Sequence, residues 1–230
     1  MANLKSLAKD TAIYGLSSII GRFLNYLLVP IYTAKLSAAS GGYGVITNVY
    51  AYVALLMVLL TYGMETTFFR FANKDGEKPL EVYSTTRISI GTSSLLFVAL
   101  VLLFLQPISG AMGYSQHPEY IGMMFCCVAI DAFQAIPFAF LRYQNRAIKF
   151  ASLKLLFIVM NILLNLCYFV WFPGLYELYP EVIGQIYRPG IGVGYAFGIN
   201  LLCTASITVW LWPEITEHHW TFNKKLWKNM

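Results

Sequence analysis

The sequence predicts an all-α membrane protein, a bundle of six transmembrane helices with both termini in the cytoplasm. Three observations carry this. First, 58% of the 230 residues are hydrophobic and only 12% are charged, where a soluble domain carries about 25% charged residues. The mean hydropathy is +0.60. Second, six apolar stretches each approach the roughly 20 residues that a helix needs to cross a hydrocarbon core of about 30 Å. Barrel strands would be half as long and would alternate, and over this length only a helix satisfies its own backbone in lipid. Third, the cations are asymmetric. Lys5, Lys9, Arg70, Lys74, Lys78, Arg142, Arg146, Lys149, Lys154, Lys224, Lys225 and Lys228 fall on one side of the predicted bundle, and only Lys35 and Arg188 on the other. That imbalance places the basic side in the cytoplasm. The net charge of +5 therefore reads as topology, with no nucleic-acid partner implied.

The first predicted span, 11–32, holds Arg22 near its middle. A guanidinium at bilayer depth costs roughly 2.5–3.5 kcal/mol on insertion scales, so it is expected to face a partner, a watery cavity or an anion. At about 100° per residue, Thr11, Gly15, Ser18, Arg22 and Asn25 share an arc of about 80°. Small-residue helix packing with one salt bridge would explain part of this stripe; a cavity wall explains all of it. Pro30 is expected to kink the span. The stretch is too long for a signal-peptide core and Arg22 interrupts it, so no cleavage is expected at Ser37-Ala38-Ala39-Ser40.

The second span, 44–62, lies between Ser40-Gly41-Gly42 and the turn Asn73-Lys74-Asp75-Gly76. The third, 83–105, carries Arg87 near its cytoplasmic start, where it either snorkels to the interface or makes a second anion contact. The fourth, 120–141, follows His117-Pro118 and holds Asp131 midway, then Gln134 and a kinking Pro137. Asp131 has two open readings. It neutralises Arg22, as a buried pair of small net stabilisation, or it serves as a proton or cation relay.

On the fifth span, 153–172, Asn161, Asn165 and Tyr168 repeat at i, i+4 and i+7, and Lys154 extends the stripe. Interhelical hydrogen bonding and amides lining a path both fit. The loop 173–189 is rich in tyrosine and, with Tyr168 and Trp171, reads as an interfacial aromatic belt. The sixth span, 190–212, contains Gly194 and Gly198 in a GxxxG spacing that favours close helix approach. In the tail, 213–230, Trp220, Phe222, Leu226 and Trp227 alternate with lysines, as in a segment at the membrane interface.

Little points to enzyme chemistry. There is no HExxH, P-loop or GxSxG, and His218-His219 are adjacent, hence on different helix faces. Cys126, Cys127, Cys167 and Cys203 lack CxxC spacing and read as packing residues. No cofactor or metal is called for.

The stretch Leu7-Ala8-Lys9-Asp10-Thr11-Ala12-Ile13-Tyr14-Gly15-Leu16-Ser17-Ser18, running through Arg22 to Leu28-Val29-Pro30-Ile31-Tyr32-Thr33, resembles the first helix of bacterial polysaccharide flippases. Tyr62-Gly63-Met64-Glu65-Thr66-Thr67-Phe68-Phe69-Arg70-Phe71 is similar to a second stretch, and Ile136-Pro137-Phe138-Ala139-Phe140-Leu141-Arg142 with Asn145-Arg146 to a third. Together they resemble the polysaccharide transporter branch of the multidrug/oligosaccharidyl-lipid/polysaccharide exporter superfamily. The resemblance implies alternating access between two six-helix lobes in the bacterial inner membrane. The implied cargo is an undecaprenyl-diphosphate-linked oligosaccharide for O-antigen, capsule or exopolysaccharide assembly.

By the same resemblance Arg22 matches the first-helix arginine expected to face the cavity and would meet the diphosphate; from the residue reading, Ser18, Asn25, Arg87, Asn161 and Asn165 are the further candidate substrate contacts. Asp131 and Glu65 would serve in coupling, to protons or sodium, or in an ion pair. Glu65 and Arg70 match the family's second-helix exit, where a structural or gating role fits as well as substrate contact. The family has twelve or more helices, so the chain is expected to be the N-terminal lobe, with a second lobe normally in the same chain; a half-size protein that dimerises is the alternative. A multidrug exporter would favour an acidic cavity, a membrane transferase a catalytic carboxylate or histidine at the membrane face, and a scaffold subunit an Arg22 turned toward protein.

Overall fold

Apolar stretches of this length leave helix as the arrangement that pairs every backbone N–H and C=O without water, and the computed structural model is helical throughout its regular structure. It describes residues 12, 15, 26–36, 42–188, 190–216 and 220–230, and among these there is no strand. The helices are α1 (Leu28–Lys35), α2 (Gly42–Thr61), α3 (Met64–Ala72), α4 (Pro79–Leu103), α5 (Leu105–Ala111), α6 (Pro118–Tyr143) and α7 (Ala147–Leu166). A π-helical turn at Cys167–Trp171 leads into α8 (Phe172–Leu178), followed by α9 (Pro180–Ile183), α10 (Val193–Trp210), α11 (Trp212–Thr216) and α12 (Lys224–Asn229).

Five helices among the described residues are long and apolar enough to cross a membrane: Gly42–Ala72, Pro79–Leu103, Pro118–Tyr143, Ala147–Leu178 and Val193–Trp210. Among its described residues the chain is thus an all-helical, multi-pass membrane protein, and each of these five helices overlaps one expected span, with ends that differ by up to ten residues. The first expected span, 11–32, lies mostly outside the described residues, α1 being its described end.

Helix starts follow their local chemistry. Pro79 and Pro118 open α4 and α6 in the first turn, where a missing N–H costs nothing. Between α2 and α3 the chain turns at Tyr62 and Gly63, at φ 30° and 73°, before the helix resumes. This carries Glu65 and Arg70 one to two turns past the predicted boundary. In the fifth span Pro173 has no N–H for the carbonyl of Phe169. The π turn sits there, as π-bulges do where the i→i−4 ladder is broken.

The helix α6 is the hub. It is the most buried of the five spanning helices, at 72% of its apolar window against 17% to 44% for the others. In lipid there is little hydrophobic gain from helix association, so close packing decides. Small residues on α6 (Gly122, Cys127, Ala129, Ala132 and Ala139) are all buried. A Cβ at Gly194 of α10 would sit 2.8 Å from Ile191 and 3.2 Å from Tyr120 of α6, so the GxxxG glycine does allow a close approach. The outward faces of α2 and α4 show Val58, Leu59, Leu95 and Leu103, as lipid-facing surfaces should.

The tail is docked on the bundle rather than only resting at an interface. Leu226 packs with Met64, Phe68, Phe71 and Tyr83. The backbone N–H of Thr221 donates to Ser84 (2.8 Å), that of Asn223 to Thr85 (3.2 Å), and Trp227 Nε1 to Ser89 (3.0 Å). Trp220, Phe222 and Trp227 keep an exposed outer face.

Candidate functional site

Between α2, α6 and α7 the helices do not close. They leave a half-enclosed cleft in two chambers, of about 560 and 490 Å³, which share Tyr50, Val53, Asp131 and Phe157 as common lining. Asp131, midway along α6, marks the junction.

The first chamber extends toward the end of the bundle where α6 finishes. There the carboxylate of Glu65 accepts a charge-assisted hydrogen bond from Arg142, joining α3 to α6. Lys154 of α7 sits with its ammonium 4.1 Å from the ring centre of Phe138, a cation–π contact, and makes no hydrogen bond among the described residues. Asp131 and Lys154 face the same chamber and feel each other's charge. Among the described residues neither forms a contact ion pair. Gln134 is committed to packing: its Nε2 donates to the carbonyl and hydroxyl of the next helix, Thr204 O and Thr208 Oγ1, each at 2.8 Å.

The second chamber has no ion pair among the described residues and is bordered by linked polar groups. Asn200 Nδ2 donates to the Tyr50 hydroxyl, and Cys127 Sγ donates to Asn200 Oδ1 at 3.0 Å. These contacts join α2, α6 and α10. Tyr32 of α1 donates to Asn165 Oδ1 at 2.7 Å, and Asn165 Nδ2 donates in turn to Asn161 O at 2.8 Å. Asn161 lines this chamber. Asn165 is fully buried behind it and also donates to Asn161 Oδ1 at 3.2 Å, so Asn161 borders the chamber while Asn165 binds helix to helix.

Arg22, Ser18 and Asn25, the polar face of the first span, lie outside the described residues, as do His218 and His219. Arg87 is placed, and its position corrects the expectation of an anion contact. It is fully buried, away from both chambers, with Nη1 donating to the carbonyl oxygens of Ile215 (2.6 Å) and Glu214 (3.4 Å). Its guanidinium lies 4.2 Å from the Trp220 ring and 4.9 Å from Tyr83. It neither snorkels nor faces the cleft; it fastens the tail.

Glu214, which sequence reasoning missed, is the anionic half of that fastening. Its side chain is fully buried and its Oε1 accepts from Arg146 Nη1 (3.1 Å) and Lys149 Nζ (2.6 Å). Oε2 has no hydrogen bond among the described residues. The signal in the sequence was one of two acids after the sixth span, Glu214 and Glu217, set against a basic α6–α7 loop that topology alone had explained.

Tyr50, Asn200 and Cys127 were also missed as cleft residues. Tyr50 and Asn200 lie within apolar runs whose composition reads as span, and Cys127 was read as packing alone. All four cysteines are free. No group of three or more potential metal ligands occurs among the described residues.

In chemical terms the cleft combines the Lys154 ammonium, the Asp131 carboxylate, which accepts a long hydrogen bond from Cys127 Sγ (3.9 Å), the Glu65–Arg142 ion pair and a set of amide and phenol groups, all on spanning helices. No family model, curated protein or solved structure matches the chain.

Proposed function

We propose that the chain is one lobe of a flippase of the bacterial inner membrane. Its cargo is an undecaprenyl-diphosphate-linked oligosaccharide bound for surface polysaccharide, moved by alternating access against a second six-helix lobe. The observation that carries the reading is the cleft, with charged groups kept around open volume at membrane depth. A bundle that served only as a scaffold would close small and apolar faces over one another. Holding Lys154, Asp131 and the Glu65–Arg142 pair beside a cavity instead incurs a desolvation cost that a polar cargo offsets.

The cargo class comes from the resemblance of the three sequence stretches, and the cleft's chemistry suits it. Lys154, with Arg22 from the first span, supplies cationic donors for a diphosphate. Asn161 and Asn200, with Ser18 and Asn25, supply hydroxyl-matching groups for the glycan. The polyprenyl chain stays in lipid alongside the cleft. Asp131 balances Lys154 when cargo is absent, and exchange of that carboxylate's partner, by proton or sodium, is the coupling step.

The test is complementation of a flippase-null strain by the gene carrying Lys154→Met or Arg22→Ala. Loss of surface polysaccharide at normal membrane levels of the protein is expected for both. Full surface polysaccharide from both variants would overturn the reading. Resistance to cationic dyes without any polysaccharide from the unaltered gene would favour a drug exporter instead.

A further inference from the structure

At the end of the bundle opposite the Glu65–Arg142 pair, a second and smaller cavity of about 200 Å³ lies beside the cleft. Its walls are aromatic. The rings of Tyr187 and Tyr195 stack at 5.7 Å with an interplanar angle of 13°, and Tyr168 lies 4.7 Å from Tyr195. Phe169 forms the partition, since its other side meets Tyr32 of the cleft edge-on at 5.5 Å. Gly192, at φ 49°, turns the loop along one wall in a conformation that a side chain would strain. Lys35, the last residue of α1, supplies the one cation of the described lining and forms no ion pair among the described residues.

An interfacial belt turns its rings outward to the headgroups, and in this same segment Leu178, Tyr179, Val182 and Ile186 do that, each more than half exposed. The three pocket tyrosines instead turn toward one another and are only partly exposed. The hydroxyl of Tyr195 accepts from the backbone N–H of Arg188 at 2.5 Å. Those of Tyr168 and Tyr187 have no hydrogen-bond partner among the described residues. The pocket therefore offers aromatic ring surface, two phenol groups without a hydrogen-bond partner among the described residues, and an ammonium around a volume of about 200 Å³.

We propose that this pocket binds a pyranose ring bearing a carboxylate. The axial C–H bonds of a pyranose form a weakly positive apolar face that suits the negative face of an aromatic ring. Its hydroxyls reach Tyr168 and Tyr187, and the carboxylate meets Lys35. A neutral alkyl chain would leave the hydroxyls and the ammonium unmatched. The site goes beyond the flippase reading and stands without it, because its ligand is recognised outside the cleft.

Saturation-transfer NMR tests this on the full chain in phosphatidylcholine nanodiscs, which carry no sugar headgroup. The probes are methyl β-glucuronide and the neutral methyl β-glucoside. Transfer to the ring protons is expected for both, and more strongly for the glucuronide. Tyr187→Leu should weaken binding about tenfold, the scale of removing an aromatic anchor, and Lys35→Gln should bring the glucuronide down to the level of the glucoside.

No transfer to either glycoside from the unaltered chain overturns the site, and so does unchanged transfer in Tyr187→Leu. An unchanged glucuronide preference in Lys35→Gln overturns the assignment of an acid. Should Tyr187→Leu fail to insert, Tyr187→Phe and Lys35→Gln keep the test decisive. The first must lower transfer through its lost hydroxyl, and the second must erase the preference. Because the readout is binding in vitro, its failure is distinct from a failure of complementation.

Discussion

The cleft and the tail junction hold the same kinds of residue and use them in opposite ways. At the junction, Glu214 is enclosed and receives two cations, while Arg87 is enclosed and, among the described residues, meets carbonyl oxygens and aromatic faces. In the cleft, Lys154 and Asp131 share a chamber without closing on each other, and Lys154 rests on a ring face. A buried charge whose bonding is provided within the fold holds elements together, and removing its partner is costly. A charge kept beside open volume contributes little to holding the fold and is available to something else. On the function proposed above, the cleft is the site and the junction its frame.

The contrast can be broken by stability measurements in detergent, read as unfolding midpoints with retained monodispersity. Glu214→Ala should be the most destabilising change, at about 3 kcal/mol, the low end for stripping a buried charge pair because Arg146 and Lys149 are partly exposed. Arg87→Met should follow at roughly 2 kcal/mol, from lost charge-assisted bonds to the carbonyls of Glu214 and Ile215. Arg87→Lys should recover part of that loss.

Tyr32→Phe, which removes one interhelical hydrogen bond to Asn165, should cost about 0.6 kcal/mol, the average for such bonds in a membrane protein. Lys154→Met should leave the midpoint nearly unchanged while abolishing complementation. If Lys154→Met destabilised as strongly as Glu214→Ala, Lys154 would belong to the frame and the comparison would fail.

How much of this was legible along the chain varies by residue. Asp131 stood out because a carboxylate in the middle of an apolar run has few explanations, and the structure puts it at the junction of the two chambers. Asn161 and Asn165 stood out as a stripe, yet a stripe at i and i+4 has a width. Only the position of α1 decided that Asn161 faces the cavity while Asn165 binds Tyr32, 133 residues away. Arg87 was misread because the partners seen among the described residues include the carbonyl oxygens of Glu214 and Ile215, groups that every residue carries and no sequence pattern reveals. Tyr50 and Asn200 were invisible for a related reason: they are 150 residues apart, and each alone is unremarkable in a spanning helix.

What the sequence determined by itself is the class of protein and the places where the helices run. Transfer of side chains into hydrocarbon is nearly additive along a segment, and backbone satisfaction in lipid is a local demand, so hydropathy locates spans without knowledge of their neighbours. Which charges are paired and which are left facing open volume was decided only by tertiary structure. That depends on which helix lies against which, and in lipid this is set by the close fit of small residues such as Gly194 against Tyr120 rather than by any property that accumulates along the chain.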